Sequence, residues 1–145
     1  MCEEMIKNPY RRVWACVNLD ALHDNLRQIA ACRKNDAGII AVIKADGYGH
    51  GGVPIARMLE DVDFMFGYAA ATYEEAHVLR EASVKKPILI LGYTFPYCYE
   101  EMIREEIRPA VYRRDTVEEL AEAATKAGKK AKVHIKVDTG MGRIG

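Results

Sequence analysis

No stretch of this 145-residue chain approaches the roughly 18 consecutive apolar residues that cross a bilayer. The opening residues, Met1 to Lys7, also lack the apolar stretch of roughly 7–15 residues that marks a secretory signal, so the chain is expected in the cytoplasm and off the membrane. Neither sign of charge is in excess: 21 Lys and Arg balance 21 Asp and Glu, with no run of five or more like charges. A nucleic-acid binder carries a basic face, and none is expected here. Cysteine is sparse and scattered. Cys2, Cys16, Cys32 and Cys98 form no C-x-x-C pair, which argues against a zinc site or a disulfide framework and for free, mostly buried thiols. No metal is expected. What remains, 50% hydrophobic and 29% charged residues, is the composition of one globular domain.

Short runs rich in Ile, Val and aromatic residues occupy residues 39–43, 64–68, 88–91, 110–112 and 133–137, so that their first positions recur every 22 to 25 residues. Helix-start signals lie between them: Thr72 stands three positions before Glu75, and Asp115 three before Glu118. The second start continues through Val117, Leu120, Ala121 and Ala124 on one face and stops at Gly128. Leu22, Leu26, Ile29 and Ala30 share a face of a further helix over residues 20–33. Pro54 suits the first turn of another, because its missing N–H would have no intrahelical partner there. Continuous rather than alternating apolar strands, joined by helices, predict a parallel sheet buried on both faces. The fold class is α/β: parallel βα units forming part of an incomplete (β/α)8 barrel, with a doubly wound sheet giving a similar pattern. An earlier segment, residues 12–19, alternates Val13, Ala15 and Val17 with Trp14, Cys16 and Asn18 as a separate strand.

The stretch Ile39-Ile-Ala-Val-Ile-Lys-Ala-Asp-Gly-Tyr-Gly-His-Gly-Gly52 carries most of the chemistry. Lys44 follows a strand and emerges at its C-terminal end, where barrels and open α/β sheets keep their active sites. Partial burial favours the neutral amine that Schiff-base or general-base chemistry requires; the alternative is a lysine whose stem snorkels along the strand edge. Gly47, Gly49 and Gly52 match G-x-G-x-x-G between a strand and a helix, the dinucleotide spacing. The next strand, however, runs on into Ala69-Ala-Ala71, with no acid to hold a ribose. A phosphate-cradling loop without a full dinucleotide site remains, with Tyr48 as hydroxyl donor. His50 is either a further donor or a loop histidine bonded to backbone. Lys136 falls within the last apolar run, where an unpaired ammonium is costly. Asp138 shares its face two residues on. Arg143, past a Gly-x-Gly turn, is placed to offer its planar fork to an anionic oxygen, and a structural ion network is the plainer reading of the same residues.

Ala41-Val-Ile-Lys-Ala-Asp-Gly-Tyr-Gly-His-Gly51 resembles the pyridoxal 5'-phosphate attachment signature of the alanine racemases. Lys136-Val-Asp-Thr-Gly-Met-Gly-Arg-Ile-Gly145 resembles that family's second signature, and Trp14-Ala-Cys-Val-Asn-Leu-Asp-Ala-Leu-His-Asp-Asn-Leu26 is similar to its N-terminal strand and first helix. The resemblance implies a pyridoxal-phosphate-dependent, fold type III racemase of a small amino acid, interconverting L- and D-alanine for cell-wall precursors. Relatives acting on serine share the signatures, because a pocket discriminates small side chains by only about 1–3 kcal/mol. By resemblance, Lys44 carries the covalent link to the cofactor and is the base on one face of the substrate α-carbon. Tyr48 binds the phosphate, Val42 and Leu91 pack near the pyridine ring, and Arg143 contacts the phenolic oxygen, held by Lys136 carbamylated into an anion. Gly47 stands where many relatives have Ala. The second base is implied to be a tyrosine from the C-terminal β domain of a partner subunit, hence a homodimer. Residues 1–19 are then a strand that pairs with that kind of domain, and residues 20–145 the N-terminal portion of the cofactor-binding barrel. The chain resembles an N-terminal piece, expected to be oligomeric and inactive by itself; a catalytically silent cofactor-binding module is the alternative.

Overall fold

The computed structural model describes residue 13 and residues 15–145. Five apolar runs become strands: β1 (Ile39–Val42), β2 (Met65–Ala70), β3 (Ile88–Ile90), β4 (Ile107–Val111) and β5 (His134–Ile135). The helical elements are α1 (Leu19–Ala31), α2 (Lys44–Gly49), α3 (Gly52–Leu59), α4 (Tyr73–Glu81), α5 (Tyr99–Arg104) and α6 (Arg114–Ala127). Every strand pairing is parallel, and the spatial order is the chain order, β1-β2-β3-β4-β5. A doubly wound sheet reverses its order at a switch point, whereas a barrel adds each strand beside the last. The order therefore selects the barrel. The chain is a curled half-barrel of parallel βα units, part of an incomplete (β/α)8 fold.

The sheet is covered on its helix side and open on the other. Tyr68 pairs with Ile88 and Ile88 with Ile107, and this row is buried under the helices with Ile55, Leu59, Leu79 and Met102. The alternate row, Val42, Ala69, Leu89 and Arg108, faces the barrel interior. Val42 is 46% exposed there, and Phe66 turns its ring toward Arg108, 5.6 Å away. Backbone packing between β2 and the approach to β3 is close enough that a Cβ on Gly67 would stand 2.2 Å from the Pro87 carbonyl oxygen. Only glycine fits that position.

Several boundaries follow from local chemistry. Thr72 caps α4 as expected, its hydroxyl accepting from Glu75 N–H at 3.4 Å, and Gly128 ends α6 in the left-handed region, φ 66°. The cap of α6 is Arg113 rather than Asp115, which lies inside the first turn. The helix at α1 starts with Asn18, whose side chain accepts from Ala21 N–H at 3.0 Å. Leu19, Leu22 and Leu26 pack on the core, but Ile29 is 60% exposed, because only the first turns of α1 lie against the edge strand. β4 begins at Ile107, earlier than the apolar run at residues 110–112 suggests. Pro109 is admitted because Val111 O accepts from Lys136 N–H across to β5, so the backbone two residues back points the same way. There β5 has not begun, its first residue pairing with Ala110, and no ladder bond is lost. The short α5 and the single 3-10 turn before it, Pro96–Cys98, carry no periodic apolar signal in the sequence.

Two expectations need correction or fall outside view. Cys98 is a buried free thiol that burial pushes up to about 11, but Cys32 is exposed and Cys16 is disulfide-bonded; spacing along a chain does not report proximity in space. Of the strand expected over residues 12–19, Arg12 and Trp14 lie outside the described residues. Residues 15–18 are irregular, and Leu19 already belongs to α1. Among the described residues no helix is long and apolar enough to cross a membrane, and no group of His, Cys, Asp or Glu is placed to hold a metal.

Tyr68 ties β2 to α3: its hydroxyl donates to Ala56 O at 2.8 Å and lies 3.2 Å from Glu60 Oε2. Burial, with Glu60 beside it, pushes its pKa up. Tyr68→Phe leaves a buried carbonyl unpaired and should lower the unfolding free energy by about 1–3 kcal/mol, measured by urea denaturation.

Candidate active site

The last ladder bond of β1 runs from Ile43 N–H to Ala69 O at 2.9 Å. Beyond it the chain enters α2, which is wound left-handed. Ala45 and Asp46 have φ 51° and ψ 47°, Gly47 φ 62° and ψ 33°, and Tyr48 φ 55° and ψ 40°. L-residues resist this conformation by about 1–2 kcal/mol each, so the three non-glycine residues together store about 3–6 kcal/mol. Strain of this kind persists only where its surroundings over-determine it. Here Gly47 N–H donates to Ile43 O at 2.8 Å, Gly51 N–H to Asp46 O at 2.9 Å, and Gly52 N–H to Asp46 Oδ1 at 2.7 Å. Ala45 N–H donates to Glu75 Oε1 at 2.9 Å, and the other oxygen of that carboxylate accepts from Ala71 N–H at 2.8 Å.

This wiring decides among the readings of the glycine-rich stretch. The first free N–H of α3, on Gly52, is already taken by Asp46, so the helix N-terminus is closed to the pyrophosphate of a dinucleotide. Gly47 is buried, and a Cβ there would come within 3.2 Å of Ile55. The glycines serve the reversal of handedness. His50 is the backbone-bonded loop histidine, its Nδ1 3.0 Å from Gly47 O.

Lys44 is half-buried at the start of the turn, and its ammonium lies 5.8 Å from the centre of the Tyr48 ring, within reach of a cation–π contact. Tyr48 is 64% exposed. Val42 is in register with Ala69 and Ala69 with Leu89, so these three share one face of the sheet, while Lys44 and the half-buried Leu91 follow just past the C-terminal ends of β1 and β3.

The other end of the sheet differs from expectation. β5 is only two residues long, Ile135 is 81% exposed, and Lys136 follows the strand as a half-buried residue. It does not sit inside a buried strand. Asp138 turns into its own loop, where Oδ1 accepts from Gly140 N–H at 2.9 Å and Gly142 N–H at 3.1 Å. Those two donors hold its carboxyl below the usual carboxylate range. Arg143 is exposed, and no hydrogen bond joins it to Lys136 among the described residues. Glu75 is the residue that sequence reasoning passed over. It has the sequence position of a capping-box acid, but its carboxylate reaches past its own helix to the ends of β1 and β2.

A singly wound βα half-barrel that presents a lysine on a strained turn at a strand's C-terminal end belongs with the barrel proteins that keep their chemistry at that end. The family model for the alanine racemase N-terminal domain matches residues 17–145. Alanine racemase 1 of Oceanobacillus iheyensis is 45% identical over 136 residues, 94% of this chain and 36% of the relative. The alanine racemase of Clostridium difficile 630, solved in complex with cycloserine, is similar with a TM-score of 0.90 at 41% identity, over 94% of this chain and 37% of that one. A histidine racemase from Leuconostoc mesenteroides subsp. sake gives a TM-score of 0.81 at 30% identity, over 94% and 36%. The chain belongs to the alanine racemase family, in its N-terminal domain, and spans about a third of the length of the curated relatives it matches.

Because Asp46 closes α3 with a side-chain oxygen, Asp46→Ala should cost about 0.5–2 kcal/mol of stability. Asp46→Asn, which keeps the acceptor, should stay near wild type; the same urea titration checks both.

Proposed function

We propose that this chain supplies the cofactor-binding part of a pyridoxal 5'-phosphate-dependent racemase, with alanine as substrate and D-alanine for cell-wall precursors as the product drawn upon in the cytoplasm. The observation that carries the reading is Lys44, half-buried and placed at the start of a left-handed turn past the C-terminal end of β1. The residues present fit the cofactor. A half-buried primary amine suits its aldehyde, the exposed Tyr48 hydroxyl suits its phosphate, and Val42 and Leu91 offer apolar surface for its ring. At Gly49 even an added Cβ would meet nothing within 4 Å. The group, when bound, withdraws electrons from the substrate carbon that loses its proton.

Lys44 then would have two tasks in turn, to hold the cofactor and, once released from it, to take the proton at Nζ from one face of the substrate α-carbon in one direction of the reaction and to deliver a proton to that same face in the reverse direction. Racemisation needs a second base on the opposite face. The proposal assigns that base to a tyrosine of a partner subunit's C-terminal domain, in a homodimer. Arg143 is assigned to the phenolic oxygen of the cofactor. Lys136 is assigned a carbamate, formed when its deprotonated amine nitrogen adds to the carbon of CO₂ and a proton is released, which turns a cation into an anion able to hold Arg143. Alanine is preferred as substrate because the relatives named above for alanine are the more similar ones. The histidine racemase shows that this architecture also serves a larger side chain in another protein, so the preference is set by pocket residues rather than by the barrel.

The test is the visible spectrum of the chain with added pyridoxal phosphate, then borohydride reduction and peptide mapping beside Lys44→Ala. A band near roughly 420 nm and a reduced adduct on Lys44, both absent from the variant, are expected; an adduct spread over surface lysines overturns the reading. For Lys136, intact mass in bicarbonate buffer should show one CO₂ adduct that Lys136→Ala removes, and a spectrum without it removes the carbamate.

A further inference from the structure

The left-handed turn that carries Lys44 is not held by its own sequence alone. Its first free N–H, on Ala45, points out of the turn and finds a carboxylate 30 residues away in sequence. The same carboxylate holds Ala71 N–H, the first backbone donor past the end of β2. Glu75 thus joins the C-terminal ends of two neighbouring strands at the point where the sheet ladder stops, one strand leading into Lys44 and the other into α4. Glu75 is itself the third residue of α4, where the unpaired N–H groups of the first turn favour a negative charge. A capping-box acid would close back on the N–H of its own cap residue. This one leaves Thr72 to cap the helix and reaches to Ala45 instead.

We propose that Glu75 is a positioning residue for Lys44: its carboxylate, bonded at once to Ala45 N–H and Ala71 N–H, selects the left-handed course of residues 45–48 and so sets where the Lys44 amine stands. The inference rests on the reading of Lys44 as the aldehyde-reactive amine, but the grip on the turn is a separate matter with its own readout. Glutamine at position 75 keeps one carbonyl oxygen and turns the other acceptor into an NH₂ donor, which meets an N–H head-on. Aspartate keeps both oxygens but withdraws them by one methylene. Each variant breaks at least one of the two bonds with little change of volume.

The experiment uses the whole chain, wild type beside Glu75→Gln, Glu75→Asp and Thr72→Ala. The last removes the cap of α4 and leaves Glu75 in place. Amide hydrogen exchange, followed residue by residue by NMR, reads the turn without any cofactor. Peptide mapping after pyridoxal phosphate and borohydride reads the amine, as the yield on Lys44 relative to the other lysines. The expected result is that Glu75→Gln and Glu75→Asp speed exchange at Ala45 and Ala71 by at least about tenfold while Ile88 and Ile107 keep their protection. The relative yield on Lys44 should fall by a similar factor in both. Thr72→Ala should leave that yield within about twofold of wild type, which a purely helix-capping role for Glu75 would not allow. Unchanged exchange at Ala45 in the Glu75 variants overturns the proposal, and so does faster exchange with an undiminished yield on Lys44. A wild-type chain that gives no selective adduct on Lys44 overturns the cofactor reading instead, and the exchange result still decides whether Glu75 holds the turn.

Discussion

L-amino acids prefer right-handed backbone, and three of the four residues after Lys44 that wind the other way have side chains that make the reversal costly. The turn is held by five hydrogen bonds from outside and inside it: Ile43 O and Asp46 O hold its ends, Asp46 Oδ1 fastens it to α3, and the two oxygens of Glu75 fasten it to β2 and α4. A right-handed turn at the same place would send the chain away from Glu75 and release both Ala45 N–H and Gly52 N–H. The position of Lys44 therefore depends on the neighbouring βα unit, through Glu75, as well as on the lysine's local sequence.

Those units are solid on one side only. The helix-facing row through Tyr68, Ile88 and Ile107 is buried, whereas the interior row leaves Val42 and Phe66 partly exposed and places Arg108 over the Phe66 ring. His134, in register with Ala110 on the same side, has its pKa lowered by burial and by Arg108. The interior side of the sheet is thus apolar near β1 and carries the Arg108 cation near β4, which, with burial, keeps the neighbouring His134 neutral.

Much of this was legible in the sequence. The five apolar runs at a period of 22 to 25 residues located all five strands, and Thr72 and Gly128 marked their helix ends because capping is a local matter. Strand order was not legible in the local pattern, since a barrel and a doubly wound sheet repeat it alike; the pairing of all five strands in chain order settles it. Glu75 was visible only as a capping acid, because its true partners are brought to it by tertiary structure, at separations of 30 residues for Ala45 and 4 for Ala71.

The contrast between the two ends of the sheet bears on which residue carries a covalent bond and which only a charge. A covalent link demands an amine held in one place, since a small displacement of the attacking atom costs far more than a displaced counter-ion does. The proposed role of Lys44 suits the β1 end, where the carboxylates of Asp46 and Glu75 accept from backbone N–H groups and hold the turn beside the lysine. At the β5 end Asp138 folds its loop on Gly140 and Gly142, and Arg143 is exposed. An arginine on such a loop can follow an anionic oxygen through a range of positions and still interact with it. Rigid placement of the amine and exposure of the guanidinium are in keeping with the roles proposed above for Lys44 and Arg143.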